Sequence, residues 1–206
     1  GCARTDIDLQ RYRERLEARL GKSREMMRVV LNKAKSDPKR IALAEGTDGK
    51  MIRAAHQLSE QGIAEPVLLG DEDTIARTVS ELGLSFRPEV VDPNDRDVSA
   101  YGEQLHELRK RKGVTRGEAD QLVSRDTNYL ASAMVKAGDV DAMLTGLTHH
   151  YPSALRPPLE VVGSAAETDT VAGVYMLTFR DRVVFCADTT VTQDPDAETL
   201  AEITRH

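Results

Sequence analysis

Short apolar runs alternate with amphipathic segments through the first half of this sequence. This alternation is the sequence feature that most restricts the possible folds of the chain. The runs RIALAEG at 40–46, AEPVLLGD at 64–71 and FRPEVVDP at 86–93 are typical of buried strands. The segments between them, TDGKMIRAAHQLSEQG and EDTIARTVSELG, carry apolar residues at helical spacing. Strands that alternate with helices in this way predict a parallel sheet with helices on its faces.

The remainder of the chain continues this mixed pattern. Three helices are predicted between residues 101 and 138, followed by a strand at 139–146 and a loop that leads into another helix. Two more strands follow, joined by a turn at 180–182, and Asp194 is predicted to cap a last helix with Pro195 at its first position. Further predicted helix caps are Thr47 or Asp48, Thr115 and Asp126. The chain also begins with two predicted helices, at 8–20 and 23–35.

Charge and cysteine content exclude several functional classes. The net charge of −6 argues against a general nucleic-acid surface. Cys2 and Cys186 lie far apart and suit a reducing compartment. No apolar run reaches the length of a membrane span, and the charged N-terminus lacks a secretory apolar region, so we expect a cytoplasmic protein. Because residue 1 is Gly and not Met, we also expect the chain to come from a longer protein.

Three strand ends carry groups suited to a ligand, because parallel sheets bind ligands at the carboxyl ends of their strands. EGTD at 45–48 places a helix N-terminus after a strand, which suits either an anion or an ordinary helix cap. The segments TGLTHHYPSALRP at 145–157 and ADTTVTQDP at 187–195 supply hydroxyl groups and backbone donors.

Two sets of cations are candidates for binding phosphate. ELRKRKG at 107–113 is rich in cations, and the arginine fork matches phosphate oxygens. The same charges would also complement the C-terminal dipole of a solvated helix. Arg156 is followed by Pro157 and Pro158, which suits a preorganised anion contact or a structural salt bridge.

The sequence gives little indication of a metal site or of a catalytic nucleophile. His149 and His150 are adjacent, but no carboxylate or cysteine is spaced to complete a metal site, and we predict none. Cys186 lies in a predicted strand, where cysteine is usually inert packing. The sequence contains no Gly-rich phosphate loop, G-x-S-x-G elbow or dinucleotide fingerprint.

Six segments, taken in order, resemble the phosphate acetyl/butyryltransferase family. They cover nearly all of the chain from Ser36 onward: KSDPKRIALAEG, GIAEPVLLGD, HELRKRKG, KAGDVDAMLTG, ALRPPLEVVG and FCADTTVTQDPDAETLAEI. Two further stretches are similar to the branch in which a phosphotransacetylase-like tail follows an NADP-dependent malic enzyme: CARTDIDLQRYRERLEARLGKSREMMRVV and RDTNYLASAMVKAGDVDAMLTG.

The resemblance implies a three-layer α/β/α fold with a mainly parallel sheet, similar to isocitrate and isopropylmalate dehydrogenases. It implies a helical linker at 1–36, a first domain at 37–165 and the truncated start of a second domain at 166–206. Oxidative decarboxylation of malate to pyruvate, with its NADP and divalent metal, would then belong to an absent malic domain.

The resemblance also implies a ligand site. The family's arginines in ELRK and LRP contexts fall on Arg109 and Arg156, which would hold the phosphate of acetyl phosphate or of coenzyme A. The family's Ser-Arg pair and Asp near its C-terminus are not reached, so no complete catalytic set is expected and this chain alone is expected to be inactive. The other residues expected to bind acyl-CoA or acyl phosphate are Thr145, Tyr151, Thr189 and Thr190.

Three functions remain open at this level. The first is a regulatory and oligomerisation module that binds acetyl-CoA or acetyl phosphate within a homo-oligomer, with no nucleic-acid or membrane partner. The alternative is a fragment of a catalytic phosphate acetyltransferase, which converts acetyl-CoA and phosphate to acetyl phosphate and CoA. The third is a scaffold in which an apolar helical stripe packs between subunits: Leu9, Tyr12, Leu16 and Leu20.

Overall fold

The computed structural model describes residues 24–95, 97–164, 170–179, 181–188, 190–192 and 194–205. The chain divides into two compact units, one formed by Ala34–Gly163 and a smaller one formed by Ser164–His206 with the residues before Ala34. Residues 24–36 are helical (α1), in agreement with the helix predicted at 23–35, whereas the helix predicted at 8–20 lies outside the described residues. No helix within the described ranges is both long and apolar enough to cross a membrane.

Four parallel strands form the sheet of the larger unit. They are β1 (Lys39–Leu43), β2 (Ala64–Leu69), β3 (Glu89–Val91) and β4 (Ala142–Leu144), in the spatial order β3-β2-β1-β4. β1 is central to the register, since Leu43 lies beside Leu68 on one side and Leu144 on the other. The predicted parallel sheet is therefore confirmed.

Helices cover both faces of this sheet and complete the predicted three layers. The helices α2 (Gly49–Glu60) and α3 (Glu72–Glu81) pack on the face to which Leu43 and Leu68 contribute. Ala42 and Val67 contribute to the opposite face, because successive strand residues point to opposite sides of a sheet. That face is covered by α4 (Ser99–Arg109), α5 (Arg116–Arg125), α6 (Thr127–Ala137) and α7 (Tyr151–Val161).

Side-chain caps begin several of these helices where the sequence predicts them. Asp48 caps α2, Thr115 forms a capping box at the start of α5, and Asp126 caps α6. α4 continues into a short 3-10 turn, Lys110–Lys112, which ends at Gly113 in the left-handed conformation with φ 90°. Local signals of the sequence thus set the starts of α2, α5 and α6.

Gly46 stands where the chain leaves β1 and passes close to β2. Its N–H donates a hydrogen bond of 3.1 Å to the carbonyl oxygen of Leu69. A Cβ atom added at Gly46 would lie 2.6 Å from that oxygen and 2.7 Å from the nitrogen of Leu69. The passage from β1 to α2 therefore requires glycine at this position.

In addition to most of α1, the described residues of the smaller unit form a two-stranded antiparallel hairpin and one further helix. The strands β5 (Val174–Thr178) and β6 (Val183–Ala187) confirm the predicted strand pair, with Met176 opposite Phe185. The helix α8 spans Ala197–Arg205.

The predicted start of α8 was wrong by two residues. The backbone N–H of Thr199 donates to Oδ1 of Asp196 at 2.8 Å, so Asp196, and not Asp194, caps the helix. Pro195 consequently precedes the cap and does not occupy the first helical position. The domain boundaries predicted at residues 36 and 165 stay predictions.

Candidate functional site

The order in which strands are added to the sheet reverses at β1, because β4 lies on the opposite side of β1 from β2 and β3. The connections from β1 to β2 and from β2 to β3 move toward one edge, whereas β4 is added on the other side of β1. The ends of β1 and β4 therefore form the switch point of the sheet, which is where open α/β sheets bind ligands. The predicted segments 45–48 and 145–157 both begin at this switch point.

A cavity of about 340 Å³ opens beside the end of β4. Its lining is mostly apolar, with one ammonium group from α2 and one hydroxyl group from the loop that follows β4. The lining residues are Lys50, Met51, Ala54, Leu144, Thr145, Gly146 and Leu147. Of the ligand residues that the sequence predicts, Thr145 lies in this lining.

Glu45 follows β1 and is buried against the loop that leads into α7. Its carboxylate accepts hydrogen bonds from the backbone N–H groups of Leu147 at 2.8 Å and Thr148 at 2.9 Å, and from the Thr148 hydroxyl at 2.9 Å. His149 adds its backbone N–H at 3.3 Å and places Nδ1 2.7 Å from the same carboxylate. One buried carboxylate therefore organises the whole of loop 147–149.

The same contacts decide the charge of Glu45. Burial raises the pKa of the Glu45 carboxyl, but the hydrogen bonds from Thr148, His149 and Leu147 outweigh burial and bring its pKa to about 2. The carboxylate is therefore ionised at neutral pH. Its charge fixes the loop from which α7 begins.

Thr145 ties this loop to the first turn of α6. Its hydroxyl donates a hydrogen bond to the side-chain oxygen of Asn128, which is buried. The Ser132 hydroxyl donates to the backbone oxygen of Asn128 at 2.7 Å, and the N–H of Asn128 donates to Asp126 at 2.9 Å. Thr145 thus has a structural partner on α6 in addition to its place in the cavity lining.

Two arginines from separate helices meet at one carboxylate, and we call this set the arginine cluster: Arg109, Arg156, Glu160 and Tyr129. Nη2 of Arg109, at the end of α4, lies 3.2 Å from Oε1 of Glu160. Nε of Arg156 donates to the same oxygen at 2.9 Å across one turn of α7. The hydroxyl of Tyr129, on α6, donates to the other carboxylate oxygen at 2.6 Å. Three helices are therefore joined through Glu160.

The arginines and the glutamate of the arginine cluster are charged at neutral pH. Burial works to raise the pKa of Glu160, but the hydrogen bonds from Tyr129 and Arg156 and the nearby guanidinium charges hold that pKa below its ordinary value. Hydrogen bonding to Glu160 raises the pKa of Arg156. Burial, followed by the contact with Glu160, raises the pKa of the Tyr129 phenol to about 12. At neutral pH the cluster thus holds two cations, one anion and a neutral phenol.

The two guanidinium groups differ in exposure. The side chain of Arg109 is 20% exposed, and its buried Nε has no hydrogen-bond partner among the described residues. The side chain of Arg156 is 73% exposed. A buried N–H without an acceptor is costly, so Arg109 is held in place at some expense in stability.

The other predicted ligand residues fall in different places. Tyr151 is the first residue of α7 and is about half exposed. Thr190 is exposed and belongs to the smaller unit, whereas Thr189 lies outside the described residues. Their part in binding acyl-CoA or acyl phosphate stays a prediction.

The remaining candidates of the sequence have identifiable local roles. Asp48 caps α2, as expected for an ordinary helix start. His149 contacts Glu45, and the part of the chain that the structure describes contains no group of three or more His, Cys, Asp or Glu residues that could hold a metal. Cys186 lies partly buried in β6 with a free thiol.

Four residues of this region were not predicted from the sequence: Glu45, Asn128, Tyr129 and Glu160. A local signal existed for Glu160, because it stands four residues after Arg156, where side chains on a helix meet. Glu45 belongs to the EGTD segment, where the sequence indicates an anion site or a helix cap and no role for this carboxylate. The partners of the Asn128 and Tyr129 side chains lie 17 and 31 residues away, beyond any local pattern.

Comparison with known proteins relates this chain to one family model, to phosphate acetyltransferases and to NADP-dependent malic enzymes. Residues 25–206 match the family described as phosphate acetyl/butaryl transferase. The phosphate acetyltransferase of Corynebacterium glutamicum is 33% identical over 176 residues, which cover 84% of this chain and 53% of that protein. The NADP-dependent malic enzyme of Rhizobium meliloti is 33% identical over 208 residues, which cover 98% of this chain and 27% of that enzyme.

A solved structure supports the same relationship. A phosphotransacetylase from Streptococcus pyogenes superposes with a TM-score of 0.81 at 27% identity, covering 88% of this chain and 56% of that structure. This chain therefore spans between about a quarter and about half of the length of the relatives that it matches.

Proposed function

Because this chain belongs to the phosphate acetyl/butaryl transferase family, we propose that it is the phosphotransacetylase-like portion of an NADP-dependent malic enzyme that responds to acyl-CoA or acyl phosphate. Phosphotransacetylase-like domains occur both in phosphate acetyltransferases and at the C-termini of malic enzymes. The proposal selects the second setting, in which the domain regulates and helps to oligomerise an enzyme whose chemistry lies elsewhere.

The extent of the alignments favours the malic-enzyme setting. The C. glutamicum phosphate acetyltransferase aligns with 84% of this chain, whereas the R. meliloti malic enzyme aligns with 98%. An alignment of 98% has to include most of the residues ahead of residue 25, where the family match begins. Similarity in that segment is the single observation that carries the proposal.

The arginine cluster supports an anionic ligand. Guanidinium groups form charge-assisted hydrogen bonds to phosphate oxygens, and acetyl phosphate and coenzyme A both carry phosphate. Arg109 and Arg156 come from different helices and approach the same point, to within 3.2 and 2.9 Å of Oε1 of Glu160. A ligand bound there would alter malate oxidation only if it bound two states of the enzyme with different affinity.

A second candidate is an active phosphate acetyltransferase, which the phosphate acetyltransferase relatives and the S. pyogenes structure favour. Acyl transfer from acetyl phosphate requires a base near the CoA thiol and donors for the developing oxyanion. Formation of acetyl-CoA from acetyl phosphate and CoA by the full-length protein would support this candidate.

Calorimetry on the full-length protein that contains this chain tests the proposal. We expect saturable binding of acetyl-CoA or acetyl phosphate, a change in the rate of malate oxidation at saturating ligand, and no acetyl-CoA formation. Replacing Arg156 with Ala should weaken binding by about 10- to 100-fold, because a charge-assisted hydrogen bond is lost.

Arg116→Ala is the matched control, since Arg116 is an exposed arginine paired with Glu103 at 3.6 Å. Equal affinity of the Arg156 variant and the unmodified protein would reject the arginine cluster as the site. If neither acetyl-CoA nor acetyl phosphate binds, or if the rate of malate oxidation does not change with bound ligand, the regulatory function is rejected.

A further inference from the structure

We propose that Glu160 is a positioning residue that holds Arg109 and Arg156 in one geometry for an incoming phosphate group. The inference rests on the proposed function in that it takes the two arginines as the anion site. It assigns a role to a carboxylate that the sequence analysis does not name.

Glu160 contacts both arginines through one carboxylate oxygen. Arg109 uses Nη2 and Arg156 uses Nε to reach the same oxygen of Glu160, at 3.2 and 2.9 Å. Each guanidinium carries five N–H donors in a planar fork, so a contact through one nitrogen restrains the group and leaves most of its donors unused by Glu160.

Glu160 is itself held in place. Its side chain is 18% exposed, and the Tyr129 hydroxyl donates to its second oxygen at 2.6 Å. The phenol belongs to α6, which packs against α7, so the carboxylate is fixed by an element other than its own helix. An anchored carboxylate restricts the rotamers of long arginine side chains, which lowers the entropy that binding would otherwise cost.

The charge balance favours an anion at this place. Two guanidinium charges against one carboxylate leave one net positive charge in the cluster. A phosphate group is attracted by that charge, whereas an uncharged ligand gains nothing from it. Without Glu160 the two cations would repel each other and separate, so the carboxylate also permits the arginines to share one position.

The competing interpretation is that Glu160 occupies the site and a ligand has to displace it. The two interpretations predict opposite effects of Glu160→Gln, a change that removes the charge but keeps the shape and one acceptor oxygen. A positioning role predicts weaker binding of phosphate by about tenfold, the lower end of what loss of an orienting partner costs in metal sites. A competing role predicts tighter binding.

The experiment titrates inorganic phosphate into the full-length protein and follows the arginine Nε–H signals by NMR. In the unmodified protein we expect phosphate to shift the signals of Arg109 and Arg156. In Glu160→Gln without phosphate, we expect the Arg156 Nε–H proton to exchange with water faster than in the unmodified protein. When phosphate is added, we expect it to bind this variant about tenfold more weakly. Glu160→Asp, which keeps the charge on a shorter side chain, should restore part of the affinity.

Glu103→Gln is the control, because Glu103 pairs with Arg116 and is 65% exposed. It should leave the phosphate affinity unchanged, and thermal unfolding should confirm that all variants are folded. Phosphate that binds Glu160→Gln equally or more tightly, or that fails to shift the Arg109 and Arg156 signals of the unmodified protein, overturns the inference. Phosphate binding without a response to acetyl-CoA or acetyl phosphate would instead reject the proposed function alone.

Discussion

At the scale of single residues, Glu45 is a buried carboxylate that holds a loop distant in sequence. Within the described ranges, the hydrogen-bond donors to its carboxylate come from residues 147–149, which lie 102 to 104 positions later in the chain. A carboxylate that is buried and satisfied in this way is stable only while it is ionised. The loop ahead of α7 therefore depends on the charge of one side chain.

Acidification should release this loop in a defined pH range. The folded-state pKa of Glu45 is about 2, below its ordinary value of 4.5, so its contribution to stability is complete above pH 4.5 and is lost as the pH falls toward 2. A shift of this size corresponds to about 3 kcal/mol in the free energy of unfolding. We expect Glu45→Gln to be less stable than the unmodified chain by about this amount near pH 7, and the difference to vanish near pH 2.

Urea unfolding of both proteins across this pH range measures the effect. Glu103→Gln serves as the comparison, since it removes an exposed carboxylate and should change stability little at any pH. A constant difference between Glu45→Gln and the unmodified chain from pH 7 to pH 2 would contradict the role assigned to the Glu45 charge.

At the scale of elements, the end of β1 is pressed against β2. The turn at Gly46 has to pass the backbone of Leu69, and both strands are central in the sheet and bonded on both sides. Neither strand can yield without disturbing its other neighbour. A side chain at this position would therefore strain the whole β1–β2 pair.

Gly46→Ala should be strongly destabilising. The added Cβ would meet Leu69 backbone atoms at 2.6 and 2.7 Å, and we expect the free energy of unfolding to fall by about 3 kcal/mol or more. Gly117→Ala is the matched control, because no atom lies within 4 Å of a Cβ placed there. On α5 that change should stabilise the protein by up to about 1 kcal/mol. Denaturant unfolding that finds the two variants equally stable would contradict the close approach.

At the scale of the whole molecule, the β5–β6 hairpin exposes much of its apolar surface. Val174 is 57% exposed, Tyr175 47% and Phe185 63%. Two strands alone are marginally stable in water, and apolar strands with unpaired edges favour pairing with other chains. This unit is therefore the part of the chain best suited to association.

The 206-residue chain should consequently self-associate, with a mass by light scattering that rises with concentration. Phe185→Thr keeps strand propensity but removes the largest exposed apolar group, and it should reduce this association. Leu108→Gln is the control, since Leu108 is 43% exposed on α4, outside the hairpin. Equal self-association of the Phe185 and Leu108 variants would exclude the hairpin as its cause.

Local patterns of the sequence predicted the sheet and most helix boundaries, because burial and capping are decided within a few residues. Ala42, Leu43 and Ala44 alternate between the two helical layers as a buried strand requires. Asp194 and Asp196 both carry a capping side chain, and only the geometry of the first turn selects Asp196. Proline at position 195 therefore misled the prediction.

Contacts between distant segments could not be predicted in the same way. Arg109 and Arg156 were expected to approach one point only through the resemblance to a family, and nothing in the sequence around Arg109 indicates Glu160 as its partner. The bond between Tyr129 and Glu160 likewise depends on how α6 packs on α7. Such pairs follow from the tertiary arrangement and not from spacing.

The link between Glu45 and loop 147–149 also sets an order of assembly. The loop can be fastened only after β4 has been synthesised and has added to β1, which closes a segment of about a hundred residues, a slow event for a folding chain. α7 follows that loop in the chain, so Arg156 and Glu160 are synthesised only after all four strands of the sheet. A nascent chain emerging from the ribosome would thus display its first three strands well before the arginine cluster could form.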